Sequence, residues 1–67
     1  LIANIPLTPL INLRSRFHQL LNAQGILVVS GILENQAEEL ITAYQGDFKL
    51  ISTFMHEGWA LLVFKKI

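Results

Sequence analysis

Asn4 is the residue of this 67-residue chain best placed to meet a ligand. It falls in a short apolar run, Leu1-Ile2-Ala3-Asn4-Ile5, that reads as the last residues of a buried strand halted by Pro6. In open α/β sheets ligands gather at the carboxyl ends of parallel strands. A carboxamide there offers two donors and an acceptor, enough to grip a polar cofactor or a nitrogen-bearing substrate. The competing role is local, since asparagine also caps strand–helix turns. Ser30-Gly31 ends a second apolar run and so belongs to the same rim. Its glycine permits close approach of a ligand or a positive φ, or marks an ordinary turn.

The remaining polar residues form no recognisable constellation. His18 follows Phe17 on a helical segment and His56 falls in a turn, with no Cys and no paired carboxylate at ligand spacing, so no metal site is assigned. Glu38-Glu39 reads as a solvated helix face rather than a catalytic pair, and no Ser/His/Asp arrangement can be assembled. Arg14 and Arg16 lie on the polar side of a helix without interleaved aromatic residues, which gives little support to a polyanion site. Trp59 is expected to pack in the core or at an interface. No G-x-G-x-x-G and no G-x-x-x-x-G-K precedes a helix, so this segment alone should not hold a nucleotide or adenosyl cofactor. No catalytic residue is assigned, and the chain lacks a complete active site.

The elements that must position Asn4 follow from periodicity. Thr8-Pro9 is a helix start, Thr as cap and Pro at the first helical position. Leu10, Leu13, Phe17, Leu20 and Leu21 then recur at helical spacing, and Gly25 closes the unit. Ile26 to Val29 is a second strand whose continuous apolar character predicts parallel pairing with both faces covered. Asn35 and Glu38 resemble a capping box, followed by a stripe of Leu33, Ala37, Leu40, Ile41 and Tyr44 that stops at Gly46. Phe48 to Met55 and Trp59 to Lys65 are strands joined by His56-Glu57-Gly58, an antiparallel hairpin signal. The first two strands should be parallel through a right-handed crossover. The order strand, helix, strand, helix, strand, strand predicts an α/β fold that is half of a doubly wound sheet.

Bulk properties narrow the function further. Five basic residues balance five acidic ones, which implies neither a nucleic-acid footprint nor an anionic-membrane one. The longest apolar run, Trp59 to Phe64, falls far short of the roughly 20 residues of a membrane span. The absence of cysteine makes a reducing, cytoplasmic setting the default. Apolar residues reach 52% while charged ones are only 15%, against about 25% charged in an ordinary soluble domain. Together with the abrupt apolar start, this predicts that the chain is the tail of a longer protein and that part of its apolar surface belongs against the remainder.

Three segments carry a resemblance to a known family. Ala3-Asn4-Ile5 with Pro9-Leu10, then Ser30-Gly31-Ile32-Leu33 with Gln36-Ala37-Glu38, then Glu57-Gly58-Trp59 with Leu62, are similar in order and spacing to ribosomal-protein methyltransferases of the PrmA type. That resemblance implies the carboxyl-terminal half of a Rossmann-like class I S-adenosylmethionine-dependent catalytic domain, spanning residues 1–67 as one partial domain. It implies strands four to seven of that fold, the last inserted antiparallel between its two predecessors. It implies S-adenosylmethionine as cofactor, held mainly by an absent amino-terminal half, and a protein of the large ribosomal subunit as substrate. Asn4 then takes the place of the asparagine beside the cofactor's methylthio group and the target amine. The segment reads Asn4-Ile5-Pro6-Leu7 and not Asn-Pro-Pro-aromatic, so stacking on the amine is not implied. The chain alone should be inactive, and a bare edge at Leu1 to Ile5 with the apolar face should favour self-association. The alternative is a small self-contained α/β interaction or dimerisation module without enzymatic activity.

Overall fold

The computed structural model describes all 67 residues, from Leu1 to Ile67. Strand β1 (Ile2–Asn4) leads into helices α1 (Leu7–Asn12) and α2 (Arg14–Leu20). Strand β2 (Ile26–Leu33) follows, then a 3₁₀ turn (Glu34–Gln36), helix α3 (Ala37–Tyr44) and strands β3 (Phe48–His56) and β4 (Trp59–Lys66). The four strands form one sheet in the order β1-β2-β4-β3. β1 and β2 are parallel, with Asn4 opposite Ser30, and β4 runs antiparallel to both of its neighbours. The last strand therefore does insert between its two predecessors, and the mixed α/β half-sheet expected from the sequence is the fold observed.

All the helices pack on one face of this sheet. Ala3, Leu27, Val29, Ile32, Ala60, Leu62 and Phe64 point into that side and meet Leu7, Leu10, Phe17, Ala37, Leu40 and Tyr44 in a single core cluster. Tyr44, Phe48 and Phe64 form a triangle of rings, with the Tyr44 centroid 5.3 Å from each of the other two and those 6.1 Å apart. Tilted aromatic contacts at that distance add to the burial of the rings themselves. The opposite face carries Ile2, Ile26, Leu33, Phe54 and Trp59, all exposed, with no helix over them. Continuous apolar strands pointed to cover on both faces, and within this chain only one face has it.

Four local expectations are corrected. The first helix begins at Leu7 after Pro6, not at Thr8, and Pro9 sits inside its first turn, where a missing N–H costs nothing. It also breaks at Leu13 (φ −90°, ψ 0°), because the Tyr44 hydroxyl donates 2.6 Å to the Leu10 carbonyl. A side chain inserted into the helical ladder is a recognised cause of such a break. β2 does not stop at Val29 but continues to Leu33 through a bulge between Val29 and Ile32. That extra residue lets Val29 and Ile32, three apart, both face the core. Asn35 caps nothing; instead the Leu33 N–H donates to Gln36 Oε1 at 2.9 Å, and Leu33 ends a strand rather than joining the helical stripe. Finally, the hairpin turn is two residues long, Glu57 (φ 50°) and Gly58 (φ 82°). Positive φ at both positions matches the twist of the flanking strands, and it makes His56 the last residue of β3, paired with Trp59.

Candidate functional site

The parallel pairing of β1 with β2 brings their carboxyl ends to one rim. Asn4 stands opposite Ser30, and Gly31 follows immediately in the bulge. β4 starts at this same rim and β3 ends there, so Phe54, His56, Trp59, Ala60 and Leu61 complete an open concavity of about 530 Å³. The two sequence-predicted rim positions, Asn4 and Ser30-Gly31, are thus brought together in one depression.

Asn4 is exposed, and its carboxamide takes part in none of the side-chain hydrogen bonds of the chain. Helix α1 has Pro6 as its leading residue and no side-chain cap. The turn-capping role open to Asn4 from sequence is therefore not the one it plays. What constrains the carboxamide is shape: it lies over Gly31, whose φ is +82°, and a Cβ built on Gly31 would overlap Asn4 Oδ1. The carboxamide is left with donors and an acceptor free toward the concavity.

The other candidates are placed elsewhere. His18 packs edge-on against Phe48 at 5.7 Å on the helical side of the sheet. His56 sits on the open face, 3.8 Å from the Glu57 carboxylate, both almost wholly exposed, and a contact so solvated holds nothing in place. Glu38 and Glu39 are exposed in the first turn of α3, where carboxylates suit the positive end of the helix dipole. Arg14 is not a free polyanion ligand. Its Nε lies 3.0 Å from Asp47 Oδ2 and its guanidinium donates to the Ala43 carbonyl at 3.1 Å, tying α2 to the end of α3. Of the two places expected for Trp59, core or interface, the core is not the one: it is 54% exposed and lines the concavity. Its register on β4 decides this, because the neighbour Ala60 takes the inward position. Phe54 was missed from sequence, since the bulge at Ile51 shifts the β3 alternation and turns Phe54 to the open face. Tyr44 is fully buried on the helical side of the sheet. Burial pushes its hydroxyl up to about 12, in spite of the opposing charge of Arg14.

The sequence and the fold of this chain are similar to those of known proteins. The model of the family described as ribosomal protein L11 methyltransferase (PrmA) matches residues 1–67. A ribosomal protein L11 methyltransferase of Legionella pneumophila (strain Corby) is 59% identical over 64 residues, covering 96% of this chain and 22% of that protein. One from Dichelobacter nodosus (strain VCS1703A) is 42% identical over 62 residues, covering 92% of this chain and 21% of that protein. In structure, the ribosomal protein L11 methylase from Lactobacillus delbrueckii subsp. bulgaricus matches with a TM-score of 0.88 at 24% identity, over 97% of this chain and 34% of its own. At that identity the likeness speaks for the fold. The chain spans about a fifth of the length of these curated relatives.

Proposed function

The chain belongs to the ribosomal protein L11 methyltransferase (PrmA) family, and we propose that it forms the carboxyl-terminal part, residues 1–67, of the catalytic domain of such an enzyme. The full-length enzyme, this segment joined to the remainder that its relatives carry, transfers a methyl group from S-adenosylmethionine to a nitrogen of ribosomal protein L11 in the cytoplasm. The observation that carries this reading is the unpartnered carboxamide of Asn4 at the carboxyl end of β1, facing a concavity with room for a ligand.

When bound, S-adenosylmethionine supplies an electrophilic methyl group on a positively charged sulfur. This chain's contribution is to place the nitrogen that accepts it. Asn4 Oδ1 accepts a hydrogen bond from the amine N–H, which fixes the nitrogen's orientation for in-line attack. Positioning of this sort lowers a barrier by removing the entropy of finding the reactive geometry. The residues at hand fit that task, since Gly31 leaves room for the carboxamide and no internal hydrogen bond competes for it. They do not by themselves form a cradle for the nucleoside, because no glycine-rich phosphate or adenosyl loop occurs in the sequence.

The test is methyl transfer to ribosomal protein L11 by the full-length enzyme, comparing wild type with Asn4→Ala and Asn4→Asp. A drop of about 10- to 100-fold in kcat for Asn4→Ala, with a wild-type melting curve, supports the role. Wild-type kinetics would remove Asn4 from the site.

A further inference from the structure

We propose that Gly31 is a positioning residue for methyl transfer, acting through Asn4: its missing side chain is the seat on which the Asn4 carboxamide rests. This role rests on the reading of Asn4 given above.

Two independent features of Gly31 converge. It occupies the bulge of β2 with φ +82°, a backbone conformation that residues bearing a Cβ seldom adopt. It also faces the Asn4 side chain at close range. An added Cβ would overlap Oδ1, stand 3.2 Å from the carboxamide carbon and lie 3.5 Å from the Asn4 carbonyl carbon. Gly46 and Gly58 share the positive φ, yet a Cβ at either meets nothing within 4 Å. Backbone geometry alone accounts for those two glycines. At Gly31 a second demand is present, and the atoms that impose it belong to the one candidate site residue.

The consequence is steric control of orientation. The Asn4 side chain has no hydrogen bond in the chain to choose its rotamer. The surface beneath it therefore does the choosing. With Gly31 present the carboxamide comes close to the β2 bulge, at the common rim of the two parallel strands. A methyl group at residue 31 lifts or rotates it, and the nitrogen it holds moves out of line with the donor.

The experiment is a double-mutant cycle in the full-length enzyme, measuring kcat and KM for L11 together with cofactor affinity and a thermal melt. Gly31→Ala is expected to lower kcat by about 10- to 100-fold while KM and cofactor affinity move much less. Asn4→Ala should lower kcat comparably, and the double variant Asn4→Ala/Gly31→Ala should be no slower than Asn4→Ala alone, since residues acting as one unit are not additive. Gly58→Ala, with the same backbone demand and open space, should keep wild-type kcat. Multiplying effects in the double variant, or an unchanged kcat for Gly31→Ala, overturn the role of Gly31 while leaving that of Asn4 intact. An unchanged kcat for Asn4→Ala overturns the reading of Asn4 and this inference with it. Should Gly31→Ala fail to fold, removal of the clashing partner in the double variant restores a cooperative melt. Equal unfolding of both variants would show that the backbone alone demands glycine and overturn the proposal.

Discussion

Replacing Tyr44 with Phe removes one oxygen from the most interior polar contact of the molecule. The hydroxyl donates 2.6 Å to the Leu10 carbonyl, and the ring packs against both Phe48 and Phe64 with no exposed surface. The Leu10 carbonyl keeps the Leu13 N–H at 3.2 Å, so it is weakened and not orphaned. The expected cost at neutral pH is therefore about 1 kcal/mol, the net worth of a single hydrogen bond. The pH dependence is the sharper part. Burial raises the hydroxyl from 10.0 to about 12, so the folded state favours the neutral form. Its contribution is complete below pH 10 and is lost as pH rises from 10 toward 12. At pH 11, one unit from each value, the loss is roughly RT ln(11/1.1), or about 1.4 kcal/mol. Urea unfolding of wild type and Tyr44→Phe, followed at pH 8 and pH 11, reads both quantities. Wild type should lead by about 1 kcal/mol at pH 8, and the gap should close or reverse at pH 11. A gap that stays constant across that range, or a Phe variant as stable as wild type at pH 8, would refute the reasoning.

Three further outcomes follow from the same contacts. Arg14→Met should destabilise the full-length enzyme by about 0.5–1 kcal/mol, because the ion pair with Asp47 is partly solvated while the bond to the Ala43 carbonyl is lost outright; raised salt should shrink the difference, and equal urea midpoints at low salt would count against it. Gly58→Val forces a β-branched residue to φ 82° in a two-residue hairpin turn and should cost more than 1 kcal/mol in the same unfolding assay, whereas an unchanged midpoint would contradict the turn geometry. The isolated 67-residue chain should show no heat of binding with S-adenosylmethionine at micromolar concentrations, since its sequence has no glycine-rich loop; micromolar binding would mean that the remainder is dispensable for the cofactor.

The sequence made the layout legible because both kinds of apolar period are strong here. Ile26 to Val29 and Trp59 to Phe64 are continuous enough to be strands, and Ala37, Leu40 and Tyr44 recur at helical spacing and are buried. The rim position of Asn4 and Ser30-Gly31 followed from parallel pairing alone. What stayed hidden depends on contacts between distant residues. The break at Leu13 is caused by a hydroxyl 34 positions from the carbonyl it meets. The bulges at Ser30-Gly31 and Ile51 decide which residues face the helices, and no local pattern announces them. The choice between core and surface for Trp59 was hidden for the same reason: in the unbroken run Trp59 to Phe64, only the register against β2 says which members turn inward. Asn4 could be proposed from its place in the chain, but the seat that Gly31 provides for it appears only once the two strands are paired.

The role of Asn4 requires that its carboxamide meet the bound ligands. Side-chain amide resonances of the full-length enzyme, with Asn4 assigned by its loss in Asn4→Asp, should be followed while S-adenosylmethionine and then a lysine-containing L11 peptide are added. The Asn4 NH₂ pair should shift on addition, while Asn12 in α1 and Asn22, which precedes β2 at the far end of the sheet, stay in place. A ligand-saturated enzyme in which the Asn4 resonances do not move would contradict the assignment.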